Sequence, residues 1–192
     1  MGAALADIAE VRMGYPFRGR IEPDPSGNVT VIQMKDIDES NLLHPEGLVR
    51  IRMDDMKDRH LVREGDLLFR SRGISNSAAL VAADLGRAVL AAPMMLIRPH
   101  PGVVHSAYLQ WFINHSTTQS LLTGQSVGTA VKMISKAALD GLVVELPALE
   151  EQHRIVEIAR LGACEAKLLE ELKERRKALL EGILMRKAKD AR

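Results

Sequence analysis

A single cysteine, Cys164, is present, so the chain can form no internal disulfide framework and no cysteine-based zinc cluster. In the helical C-terminal region where it falls, Cys164 reads as a small apolar residue rather than a reactive thiol. No apolar run approaches the ~20 residues of a membrane span; the longest candidate, residues 88–97, is cut by Pro93. The start carries Asp7 and Glu10 and lacks a basic stretch followed by an apolar one, so no secretory signal is visible and a cytoplasmic location is expected. Charge of one sign is lacking too: 26 Lys and Arg against 25 Asp and Glu leave +1. Nonspecific polyanion binding draws on a broad basic field, so contact with nucleic acid would have to come from a local strip.

The motifs of catalysis are also missing. The six histidines, His44, His60, His100, His105, His115 and His153, form neither an HExxH pattern nor a Cys/His ligand spacing. There is no GxxxxGK[ST] phosphate loop, and the glycines around Gly124 and Gly128 do not make GxGxxG after a strand, so a dinucleotide or S-adenosylmethionine site has no support. Adjacent carboxylates such as Asp54-Asp55 and Glu150-Glu151 read as solvated faces. The expectation is a chain with no catalytic residues, no metal and no cofactor.

What is present divides at Pro147. Up to and including it lie all 8 prolines and 12 of the 14 glycines, the punctuation of short strands and turns. With 46% hydrophobic and 27% charged residues, the chain is too apolar for disorder and too charged for a membrane protein. Residues 29–34, 48–53, 66–70, 78–82, 88–97 and 141–146 read as strands. Residues 106–122 repeat apolar side chains at helical spacing, and 135–139 form a helical turn with Ser135 as N-cap. The expected fold is α+β: a β-rich domain over 1–147 with a few helices, then a helical region over 148–192.

From about Glu150 to Lys189 no proline interrupts a Leu-, Glu-, Lys-, Arg- and Ala-rich run. Within it Leu161, Leu168, Leu172, Leu179 and Ile183 follow at spacings of 7, 4, 7 and 4, a heptad-like seam that Ile155 and Ile158 extend toward its start. Glu165 and Arg175 fall on the seam, and Gly162 weakens the helix. About 36 helical residues would span roughly 54 Å, more than a compact domain of 145-odd residues is wide, so the seam calls for a partner helix rather than its own domain.

Two polar segments have the side chains of a binding surface. In residues 62–77 (VREGDLLFRSRGISNS), Arg63, Arg70, Ser71, Arg72 and Asn76 gather around a strand end, and alternation would point Arg70 and Arg72 to one face. In residues 124–136 (GQSVGTAVKMISK), Gln125, Ser126, Thr129, Lys132 and Lys136 can reach phosphates or base edges. A solvent-exposed strand end and an ordinary polar loop would look the same, so the order of the pieces decides.

Residues 128–158 (GTAVKMISKAALDGLVVELPALEEQHRIVEI) closely resemble the junction of recognition domain and conserved helix in specificity subunits of type I restriction-modification systems. The matching residues are Gly128, Ile134, Ser135, Leu139, Leu142, Leu146, Pro147, Leu149, Glu151, Gln152 and Ile155. Residues 5–14 resemble the family's opening, 33–37 (QMKDI, with Lys35) its early strand, and 63–73 its GD-containing strand. The resemblance implies a non-catalytic, sequence-specific DNA-binding subunit. Its partners would be double-stranded DNA, methyltransferase (modification) subunits and restriction subunits. The usual subunit has two recognition domains and two helical regions, so one of each points either to a half-length form that pairs with a second copy or to a fragment of a longer chain, and pairing is the favoured reading. The expectation is therefore a homodimer joined through the helices and reading inverted half-sites about 10 to 16 base pairs apart. The competing readings are a recognition module of another modification or defence system, a coiled-coil protein-interaction adaptor, and an unrecognised hydrolase.

Overall fold

The computed structural model describes residues 2–73, 76–124 and 133–190. It is an α+β structure in which the chain separates into two compact units, Met1–His153 and Arg154–Arg192. The first unit opens with β1 (Gly2–Ala4), the short helix α1 (Leu5–Ile8) and β2 (Ala9–Met13). There follow β3 (Val29–Ile32), β4 (Val49–Ile51), β5 (Leu67–Phe69), β6 (Ala78–Leu80), β7 (Ala88–Leu90) and β8 (Met95–Pro99). Helices α2 (Ser106–Asn114), α3 (Ser116–Gly124) and α4 (Lys136–Asp140) precede β9 (Val143–Glu145). Helix α5 (Leu149–Asp190) is the last described element.

Three sheets result among the described residues: β2-β8-β5-β6, all antiparallel; β4-β3-β7, with β3 and β7 parallel; and the pair β1-β9. Side chains alternate across a strand, and the three-stranded sheet uses both faces. Ile32, Ala88 and Leu90 enter one core with Leu68, Ala79 and Leu96 of the four-stranded sheet. Val29, Val31 and Val89 enter a second core, flanked by Tyr15, Phe17, Ile21 and Ile51. Leu67, Phe69, Ala78, Met95 and Ile97, on the opposite face of the four-stranded sheet, are buried as well, with α2 packed against β6 and α4 against β2.

Two expected elements are each divided. The run 88–97 forms β7 and β8, which belong to different sheets. At Ala91–Met94 the chain turns, with Ala91 N donating to Ile32 O (2.9 Å) and Ala92 N to Tyr15 O (3.0 Å), while Pro93 has no N–H to continue a ladder. The run 106–122 forms α2 and α3, because His115 is extended. Beside that break the Asn114 amide completes the edge of β6, accepting from Ala78 N and donating to Ala78 O, both at 2.8 Å. The turn at 135–139 matches α4, whose N-cap Ser135 accepts from Ala138 N at 3.1 Å.

The globular unit runs six residues beyond Pro147. Gln152, on the first turns of α5, is fully buried. Its Oε1 accepts from His105 N (2.8 Å), and its Nε2 donates to Pro147 O (2.9 Å) and Val103 O (3.4 Å). A buried amide with all these partners costs little to bury and much to remove. In the second unit the seam residues Leu161, Leu168, Leu172, Leu179 and Ile183 are all exposed, as are Leu169, Leu180 and Leu184. At about 100° per residue these side chains cover an arc of roughly 160°, wider than the narrow stripe of a two-stranded coiled coil.

Candidate nucleic-acid interface

Strands β2 and β5 each pair antiparallel with β8, so they run in the same direction and leave the four-stranded sheet at the same end. Met13, Met95, Phe69 and Ala78 mark that end. The continuation of β5 is Arg70-Ser71-Arg72-Gly73; that of β2 is Gly14, Tyr15, Phe17, Arg18 and Arg20. Gly14 is required there, since a Cβ would stand 2.7 Å from the backbone carbon of Ala91. Gly73 closes the RSRG turn at φ +117°, a conformation L side chains rarely adopt.

Arg72 is exposed, and its backbone bridges Met133; Ile134 N donates to Ser71 O at 2.9 Å, and Arg72 Nε lies 3.1 Å from Met133 Sδ. The two polar segments of the sequence thus meet: RSRG lies beside the end of the 124–136 segment. Gln125, Ser126, Thr129 and Lys132 lie outside the described residues. Lys136, exposed on the first turn of α4, forms an ion pair with Asp140 at 2.5 Å.

Arg70 does not project beside Arg72. Its Nε and Nη2 donate to Ser77 Oγ (3.2 and 2.8 Å), its Nη1 donates to Asp38 O (3.2 Å), and its Nη2 also meets Asn41 Oδ1. Burial lowers its pKa from the ordinary arginine value, with Asp38 acting in the opposite direction. Arg70 is a staple that holds the 38–41 loop against the strand end. Asn41, at φ +61°, sits in the left-handed region that asparagine tolerates better than most residues. Lys35 is exposed on the 3-10 turn Met34–Asp36, in the segment leading into that stapled loop.

Two expected contact residues are corrected by burial. Ser71 is 1% exposed and its hydroxyl donates to Pro93 O at 2.6 Å; Asn76 is 6% exposed and donates to Arg70 O at 3.2 Å. Both shape the turn from inside it. Arg63 is exposed but precedes β5, at the opposite end of the strand from Arg72. Its backbone N donates to Asp66 Oδ2 (2.7 Å), and the Asp66 carboxylate, 2% exposed, is gripped by Arg98 through Nε (2.7 Å) and Nη2 (2.6 Å).

Sequence reasoning missed the Arg98 partner of Asp66, the Asn41 loop, and Arg18 and Arg20. The last two had a signal, a Tyr-Pro-Phe-Arg-Gly-Arg run that interleaves aromatic and basic side chains. Among the described residues no group of three or more His, Cys, Asp or Glu side chains could hold a metal ion. Among those residues, too, no helix is long and apolar enough to cross a membrane.

A family model described as the type I restriction modification DNA specificity domain matches residues 3–174. A chain from the structure described as the structural basis underlying complex assembly and conformational transition of the type I R-M system is similar at TM-score 0.69 and 18% identity. That match covers 95% of this chain and 43% of the other. The HsdS subunit from Thermoanaerobacter tengcongensis is similar at TM-score 0.65 and 20% identity, over 93% of this chain and 45% of that one. The type I restriction-modification S subunit from M. genitalium follows at TM-score 0.56 and 11% identity, over 84% and 38%. These likenesses speak to the fold, and the chain spans less than half the length of each of these structures. No curated protein matches the sequence.

Proposed function

The chain belongs to the type I restriction modification DNA specificity family, and we propose that it selects a DNA target for partner subunits and catalyses nothing itself. The observation that carries this reading is the shared sheet end, where β5 delivers the exposed Arg72 and from which the continuation of β2 leads to the exposed Arg18 and Arg20, none of the three with an ion-pair partner among the described residues. Cations on turns held by packed strands are preorganised to position a duplex through its phosphates, while neighbouring polar groups read base edges. Methylation and cleavage would fall to modification and restriction subunits that the protein recruits.

The proposal extends to the oligomer. The exposed apolar arc of α5 is a face of the kind a second copy covers in a homodimer, and its breadth leaves room for a helix of a partner subunit beside it. A two-fold dimer of identical recognition domains requires inverted half-sites. The test is co-purification with a type I modification subunit, mobility shifts at increasing salt, and mapping of methylated sites. Salt-dependent duplex binding and a palindromic, two-part target are expected. Absence of duplex binding at any salt, or an asymmetric target with this as the only specificity chain, would refute it.

A further inference from the structure

We infer that Lys57 and Arg59, on the turn packed against the end of β2, form a second phosphate-contacting site for the DNA backbone, separate from the RSRG turn. The inference rests on the DNA-binding reading above. Its basis is a cluster that the sequence scatters over almost fifty positions. Arg12 of β2 reaches across with Nη1 to the carbonyl oxygen of Arg59, and so fixes the 3-10 turn Asp58–His60 beside the strand end. Arg12 is itself neutralised by Glu10, which accepts from its Nη2 at 2.5 Å. Lys57 and Arg59 are exposed, and neither they nor Asp58 between them forms an ion pair among the described residues.

The cations also stand on a rigid base. The His60 ring meets Tyr15 edge-on at 5.5 Å, and Tyr15 meets Phe17 at 4.9 Å, so the turn is held to the aromatic stretch that continues β2. Burial, then the charges of Arg59, Arg12 and Lys57, lower the pKa of His60, which places all three cations within electrostatic reach of one ring. Unpaired charge that a protein holds in place suits a polyanion, since a phosphate gains the contact without ordering the turn. The same aromatic stretch leads to Arg18 and Arg20, so a duplex crossing the sheet end at Arg72 would have its backbone followed on to this turn.

The test compares the 192-residue chain with the variant Lys57→Gln, Arg59→Gln, which removes the bond from Arg59 Nε to His60 Nε2 (3.2 Å) inside the turn and none to another element. Binding to target and to random duplex is measured from low to moderate salt, beside the variant Arg72→Ala and with thermal melts of each. For two lost phosphate contacts the log-log salt slope falls by about two and affinity drops roughly thirtyfold near physiological salt, equally for both duplexes. If wild type and R72A show their own slopes while the double variant matches wild type, this inference is overturned and the wider reading stands. A wild type that binds no duplex overturns both.

Discussion

Arg70 and Arg72 stand two residues apart and should behave differently when truncated. In Arg70→Ala the loop at Asp38 and Asn41 loses its charged donor, although Asn41 Oδ1 keeps the hydroxyl of Ser77 at 2.5 Å. Hydrogen bonds to a charged group contribute about 1.5 to 3 kcal/mol as measured by deletion, and the surviving Ser77–Asn41 bond puts R70A near the middle, about 2 kcal/mol. For a chain of this length that is roughly 4 to 8 °C in melting temperature. Arg72→Ala removes an exposed side chain and should stay within about 0.5 kcal/mol of wild type. Urea titrations read the difference, at fixed protein concentration because a dimer's stability depends on it. In DNA binding the order reverses: R72A lowers the salt slope by about one, whereas folded R70A keeps the wild-type slope. An R70A protein with wild-type urea midpoint and a reduced slope would mean that Arg70 faces DNA and the internal staple is wrong.

Arg98→Leu strands the buried Asp66 carboxylate and should cost about 3 to 5 kcal/mol, read as a large drop in urea midpoint; a midpoint near wild type would show the pair to be dispensable. The pKa of His105 is lowered, by burial first and His153 second, and that of His60 by burial and then its three cations, from an ordinary value of 6.5. A folded value below the unfolded one means the unfolded chain binds the proton more readily, so this contribution is complete above about pH 6.5 and is lost as pH falls through and below it. Urea midpoints at pH 7.5 and 5.5 should therefore differ, and His60→Asn with His105→Asn should shrink the difference; an unchanged difference would assign it to other groups. Leu168→Glu with Leu172→Glu should convert a dimer to monomer in light scattering by placing unpaired charge in the seam, and a wild type that is already monomeric at micromolar concentration would remove the dimer from the proposal.

The sequence made local features legible and long-range ones not. Ser135 as an N-cap, a long helix starting just after Pro147 and the apolar stripe of α5 depend on neighbours a few residues away, and each is found in the structure. Ser71 and Asn76 looked like surface residues because their types favour turns, but both are buried, Ser71 bonded to the carbonyl of Pro93, 22 residues on, and Asn76 accepting at its backbone carbonyl from the Gln119 amide, 43 residues on. Strands β1 and β2 escaped notice for the same reason. Gly2–Ala4 is a strand because Val143–Glu145 pairs with it, and three residues are too few to carry a period of their own. The run 88–97 has the composition of one strand, and only the competing edges of two sheets divide it.

That division of labour bears on why the family could be read where the target could not. Many of the residues that carry the resemblance are interior: Ile134, Leu139, Leu142 and Gln152 are buried, and Asp66 of the GD strand is locked to Arg98. Ser135 and Pro147 shape helix and strand ends. A buried residue is constrained by many neighbours at once, so the pattern it leaves in a sequence identifies a scaffold. Arg18, Arg20, Lys57, Arg59 and Arg72 are exposed at the surface, where a substitution disturbs little of the fold. Arg72 alone among them falls within a stretch that supports the resemblance. If the sheet end is the reading surface, target choice can change by exchanging such side chains while the staple at Arg70, the Asp66–Arg98 pair and the Gln152 clasp stay as they are. Exchanging the exposed residues at the sheet end should therefore alter which duplex is bound at little cost in stability, and exchanging the interior ones should lower stability before it alters choice.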